Sequence, residues 1–305
     1  MTKDNIKNIG ASIRARLLKE AKRLENDFNL ILERYALERI LYRLGCSEYR
    51  SRFILKGGML LSIWSVDPYR PTRDADLLAY GSNEPTALAE IFREICQLDI
   101  EQNDGLTFDL SGVIYSKIKE DQEYEGIRLK FKAFLDGIEI SLQFDIGFGD
   151  YVTPEPEEME CFVLLNLPKP SLLIYPKETV VAEKFEAMVK LGLLNSRMKD
   201  YYDLWFLSSN FTFDGRILSA AIGNTFTRRK TTIPEDIPEC LSDKFSQDRA
   251  KLQQWQAFLN RTPLKTEKKM LAEVINVLEL FLMPPAQAIT TGQAFTKGWI
   301  AYAWR

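Results

Sequence analysis

Residues 127–148, IRLKFKAFLDGIEISLQFDIGF, constrain the fold more tightly than any other stretch of the chain. Leu129 and Phe131 alternate with polar residues. Ile138, Ile140, Leu142 and Phe144 alternate with Glu139, Ser141, Gln143 and Asp145. Period two is the signature of a strand with one buried face, and Asp136-Gly137 between the two runs is a favoured two-residue hairpin turn. An antiparallel hairpin is therefore expected, with Asp145 on its polar face.

Helical spacing dominates elsewhere. Residues 9–45 read as helical, as do 84–97, KETVVAEKFEAMVKLGLL, MKDYYDLWFLSS, 215–226, 244–260 and 267–282, and Met283-Pro284-Pro285 is expected to end the last of these. SRFILKGGMLLSIW reads as a short strand, a Gly57-Gly58 turn and a helix, and PTRDADLLAY as an extended segment. A mixed α/β half thus precedes a helical half, with the boundary between 154 and 175. Seven basic against two acidic residues in 1–23 read as a solvated helix face, with contact to a polyanion as the sharper alternative.

The 305-residue chain is 46% hydrophobic and 27% charged, with net charge -3, which disfavours a globally basic nucleic-acid binder. It has no histidine, which excludes Ser-His and Cys-His catalysis and His-ligated metals. Cys46, Cys96, Cys161 and Cys240 form no CxxC pair, so a reduced, cytoplasmic protein without zinc or disulfides is expected. No signal peptide is expected, and no apolar run approaches the ~20 residues of a membrane helix.

Asp74 and Asp76 flank one alanine, and on an extended segment positions two apart share a face. Paired carboxylates repel unless a cation lies between them, and carboxylates without histidine or a thiol cluster suit a hard ion: magnesium, with manganese as the alternative. Should the Asp145 strand lie beside them, three carboxylates converge, a set able to hold two ions for phosphoryl chemistry. Taken alone, Asp-Ala-Asp is better explained as a cap and a solvated strand face. Gly57-Gly58, with Lys56 before it, offers backbone amides to phosphate oxygens, although many turns contain two glycines.

LKGGMLLSIW followed by RPTRDADLL resembles the opening of the nucleotidyltransferase fold of polymerase-beta-like enzymes: a glycine pair, an Asp-x-Asp and a third carboxylate on a later strand, here Asp145. Two departures stand out. Met59 follows the glycines where serine is common nearby, and fifteen residues separate Gly58 from Asp74. AEKFEAMVKLGLLNSRMKDYYDLWFL resembles the AbiEii/AbiGii toxin branch, which includes MenT-like toxins, through Lys184 and the Lys199-Asp200-x-x-Asp203-Leu204 motif.

The resemblance implies an α/β nucleotidyltransferase domain over 1–165 and an α-helical domain over 166–305. It implies metal binding by Asp74, Asp76 and Asp145, and nucleotide contacts from Lys56, Gly57, Gly58, Thr72, Arg73, Lys184, Asp200 and Asp203. It also implies an RNA acceptor, with the 3′ end of tRNA expected, and an antitoxin encoded alongside. Lys184 stands out independently: its helical neighbours Val180, Val181, Ala187 and Met188 are apolar, and a lysine there needs a partner or must snorkel. Asp200 and Asp203 share a helix face, and an ion-pair role for them competes with a nucleotide role. Arg228, Arg229 and Lys230 are candidates for an RNA-phosphate track, or else a solvated helix end. The rivals to RNA nucleotidylation are the same chemistry on a protein or small-molecule hydroxyl, and a catalytically silent binding module.

Overall fold

The computed structural model describes residues 8–64, 72–119, 125–262 and 268–305. Lys3 and Lys7, the Arg70-Pro71 start of RPTRDADLL and the expected helix start at 267 lie outside them. The chain divides into two compact units, residues 1–149 with 157–174, and residues 150–156 with 175–305.

The first unit is built on a seven-stranded mixed sheet. Its strands are β1 (Phe53–Lys56), β2 (Ala75–Ala79), β3 (Leu106–Lys119), β4 (Glu125–Leu135), β5 (Ile138–Phe148), β6 (Glu157–Glu160) and β7 (Ser171–Ile174), in the order β3-β4-β5-β2-β1-β7-β6. β2–β5 and β1–β7 run parallel and the other neighbours antiparallel. The hairpin forms as its alternation demands: Leu135 faces Ile138, with Asp136 and Gly137 at positive φ in the turn. One face of the sheet carries Phe53, Leu77, Phe131 and Phe144, and the Phe92 ring from α4 (Pro85–Gln97) lies 4.9 Å from Phe144 and 5.9 Å from Phe53. Residues 9–45 make two helices, α1 (Ile9–Arg23) and α2 (Phe28–Cys46), because Glu25 takes positive φ and Asp27 caps a new start, and α3 (Met59–Trp64) follows the Gly57-Gly58 turn. β6 and β7 occupy a region where the sequence patterning suggested only linkers before helices. β7 is four residues long, too short for a clear period, and its pairing with β1 is non-local.

Arg39 and Arg43 of α2 bury against Asp104, with Arg43 Nη1 2.5 Å from its carboxylate and Tyr35 donating to the Asp104 carbonyl at 2.7 Å. Burial pushes the Cys96, Cys161 and Cys240 thiols up to about 12, while Cys46 is exposed. A raised thiol pKa leaves almost no thiolate at pH 8. Native protein at that pH is expected to yield one thiol to a disulfide-exchange reagent, and all four in urea. Rapid reaction of a second native thiol would contradict this packing.

The second unit contains α5 (Lys177–Leu191), α6 (Met198–Asn210), α7 (Gly215–Arg228), α8 (Asp243–Gln247), α9 (Arg249–Arg261), α10 (Leu271–Thr290) and a small sheet β10-β9-β8 of Ala303–Trp304, Gly298–Ile300 and Phe213–Asp214. Two expectations are corrected here. The helix does not stop at Met283-Pro284-Pro285 but runs through to Thr290. Pro285 cannot donate to the Phe281 carbonyl, and Trp304 Nε1 donates to it instead at 3.1 Å. Second, α10 is long and apolar enough by length and composition to cross a membrane. Its Leu271, Val274, Ile275, Leu278, Phe281 and Leu282 are buried against the rest of the unit, so packing accounts for the apolarity.

Candidate active site

The polar face of the sheet carries a transverse row of charge. Lys56 on β1 is the register partner of Asp76 on β2, Asp76 of Asp145 on β5, and Asp145 of Arg128 on β4. Register partners share a face, so the row reads cation, carboxylate, carboxylate, cation across four adjacent strands. Asp74, two residues before Asp76, joins it from the strand's approach. One carboxylate oxygen from each of Asp74, Asp76 and Asp145 lies within 4.8 Å of the other two. Lys56 and Asp145 are buried, and Asp74 and Asp76 are half-buried.

The neighbours orient these groups. Thr72 Oγ1 donates to Asp74 Oδ1 at 2.7 Å. Arg128 grips Asp145 with two parallel bonds, Nε to Oδ1 at 2.8 Å and Nη2 to Oδ2 at 2.7 Å, and Gln143 Nε2 adds a 3.3 Å contact to Oδ2. Hydrogen bonding to Asp145 holds the Arg128 guanidinium above its usual pKa, and the charges of Asp145, Asp74 and Asp76 act in the same direction. Gly57 ends β1 at φ +74°, and a Cβ there would lie 1.9 Å from Asp76 Oδ2. The missing side chain is the space the Asp76 carboxylate occupies. Arg73 points away, with its side chain 72% exposed and Nε 3.6 Å from Glu33.

Three close carboxylates with only oxygen donors match the preference of magnesium or manganese, and the cradle at Gly57 leaves Asp76 room to serve as a ligand. The residues present therefore fit such an ion.

Arg128 was missed from the sequence, although its place was readable there. With Leu135 opposite Ile138 across the turn, counting outward along both strands sets Arg128 opposite Asp145.

Lys184, Asp200 and Asp203 come together in the second unit. Lys184 Nζ lies 2.6 Å from Asp200 Oδ1 and 2.9 Å from Asp203 Oδ2, and Arg197 Nε lies 2.7 Å from Asp200 Oδ2. Both carboxylates are fully buried. The lysine on an apolar stripe is thus an ion-paired one. Lys184→Ala would leave Asp200 with Arg197 and withdraw the ammonium from Asp203, and unfolding in urea is expected to lose about 3–5 kcal/mol. Adding Asp203→Asn to that variant should recover part of the loss; no recovery would show that the pair is not what stabilises α5 against α6.

Arg229 is not available to a polyanion. Its guanidinium lies within 3.4 Å of Asp150, Glu183 and Glu186, with 14% of the side chain exposed. The triplet Arg228-Arg229-Lys230 therefore does not form one basic track, because its middle member is neutralised internally.

A family model described as "Nucleotidyl transferase AbiEii toxin, Type IV TA system" matches residues 39–279. The chain belongs to the AbiEii nucleotidyltransferase toxin family. As a member it is a nucleotidyltransferase of a type IV toxin–antitoxin system, which implies a nucleotide substrate and an antitoxin partner. Among solved structures, JHP933 from Helicobacter pylori is 14% identical over 83% of this chain and 91% of that one, with a TM-score of 0.46. A second H. pylori protein, provisionally named a nucleotidyltransferase, is 16% identical with the same coverage and a TM-score of 0.44. No curated protein matches this AbiEii chain.

Proposed function

We propose that this AbiEii protein transfers a nucleoside monophosphate from an NTP to an RNA hydroxyl, the 3′ end of tRNA being the expected acceptor, and so blocks translation until its antitoxin intervenes. The observation that carries the reading is the meeting of Asp74, Asp76 and Asp145 oxygens within 4.8 Å on one face of the sheet. The acceptor oxygen would attack the α-phosphorus, a new P–O bond would form, and the bond to the bridging oxygen would break to release pyrophosphate. Asp74 and Asp76 would hold magnesium or manganese, with Asp145 completing the set. Such an ion supplies Lewis-acid stabilisation of the developing charge and lowers the pKa of the attacking hydroxyl. Asp145, held in orientation by Arg128, would take up the acceptor proton at the oxygen facing the other two carboxylates.

Lys56, Gly57 and Gly58 are proposed to hold the triphosphate, and Thr72 to fix the Asp74 rotamer. A cytoplasmic location follows from where NTPs and RNA are found. The test is incubation of the protein with total RNA, magnesium and each labelled NTP in turn. Labelled RNA, concentrated in the tRNA band, is expected. Label in protein or metabolites would move the acceptor to the rival class, and no labelling with any NTP would refute transfer.

A further inference from the structure

Within the second unit, a cavity of about 430 Å³ opens between the start of α6 and the last turns of α9. Arg197, Lys199 and Arg261 line it, and among the described residues no carboxylate does. All three cations are exposed, and among the described residues neither Lys199 nor Arg261 has a carboxylate partner, in a chain whose net charge is -3. Its floor is apolar, from Met198, Ala257 and Phe258. Phe258 is half-buried and braced by Tyr202 and Trp255, whose rings are tilted 57° and 33° to it with centroids 5.6 Å away in each case. A braced aromatic beside several cations is the chemistry that holds single-stranded nucleic acid: the ring stacks a base and the cations take the flanking phosphates. The volume suits one nucleotide unit rather than a duplex groove. A protein segment would need acidic side chains to answer the two cations that lack a carboxylate partner, and would gain nothing specific from a stacking ring.

We propose that this cavity docks a nucleotide of a single-stranded segment of the RNA acceptor, with Lys199 and Arg261 on phosphates and Phe258 beneath a base. The inference rests on RNA being the acceptor, and it adds a recognition surface to which the motif contributes Lys199.

The test uses the full chain and a fluorescein-labelled oligouridine, with anisotropy followed over a salt series. Lys199→Glu/Arg261→Glu is expected to weaken binding about tenfold or more and to reduce the slope of log affinity against log salt by about 1.4, at ~0.7 per lost phosphate contact. Arg249→Glu/Lys297→Glu, exposed residues outside the cavity with the same change of charge, should leave both unchanged. Phe258→Leu, which keeps the packing apolar, should weaken binding about fivefold or more without altering the slope. Melting curves should match for all variants. If RNA is labelled in the transfer assay but the charge-reversed variant binds oligouridine as wild type does, the groove is refuted and the acceptor reading stands. If wild type neither labels nor binds RNA, both fall. Displacement of the strand by free UMP at equal nucleotide concentration would make this a mononucleotide site and overturn strand docking.

Discussion

Asp74→Asn is expected to abolish nucleotide transfer while leaving the protein at least as stable. The substitution keeps shape and retains an oxygen for the Thr72 hydroxyl, 2.7 Å away in the native protein. It removes one of three negative charges whose oxygens lie within 4.8 Å. Mutual repulsion at that distance is on the order of 1–3 kcal/mol per pair in a half-solvated site. Relieving it should hold or raise the melting temperature measured without divalent ions. Loss of a metal ligand should cost about three orders of magnitude in labelling rate, or ~4 kcal/mol of transition-state stabilisation. An active variant would remove Asp74 from the chemistry. A variant that melts several degrees lower would show that the carboxylate is structural, the bland alternative for an Asp-x-Asp read alone.

Gly57→Ala should combine the same loss of transfer with a loss of stability. Two terms add. The backbone sits at φ +74°, which costs a residue with a Cβ ~1–2 kcal/mol. The new Cβ would also stand 1.9 Å from Asp76 Oδ2 and 2.6 Å from its Cγ, so the carboxylate must leave its place in the row. Gly137→Ala separates the two terms. Gly137 has φ +79° but nothing within 4 Å of its missing Cβ. It should lose the backbone term alone and keep transfer. Equal transfer in the two variants would mean that Gly57 is present only for its turn, and that Asp76 can move without consequence.

The hairpin and the face on which Asp145 stands were legible because side-chain direction alternates along a strand and a two-residue turn fixes register. The same logic placed Arg128 opposite Asp145, yet an arginine in an alternating strand looks like any solvated residue until its partner is known. Lys184 drew notice because an apolar stripe makes a lone ammonium costly, and the stripe could not say that Asp200 and Asp203 would both meet it. The passage of α10 through Pro284-Pro285 was illegible because the donor satisfying Phe281 is an indole from the far C-terminus. Arg229 misled for a similar reason, since its three carboxylate neighbours come from α5 and the 150–156 segment.

By itself, then, the sequence determined that two strands pair through Asp136-Gly137, that Asp74 and Asp76 share a face, and that any chemistry in a chain without histidine falls to carboxylates, Lys, Arg, hydroxyls, thiols or a bound cation. Those properties depend on local geometry: periodicity, turn preference and residue type. Only the tertiary structure decided that β2 lies parallel to β5 with Asp76 opposite Asp145, and that β1 on the far side brings Gly57 against the Asp76 carboxylate. Parallel neighbours are joined by long connections, so no turn sets their register. It follows from how α2, α4 and the apolar face pack, and that packing turns two separate acidic motifs into one site.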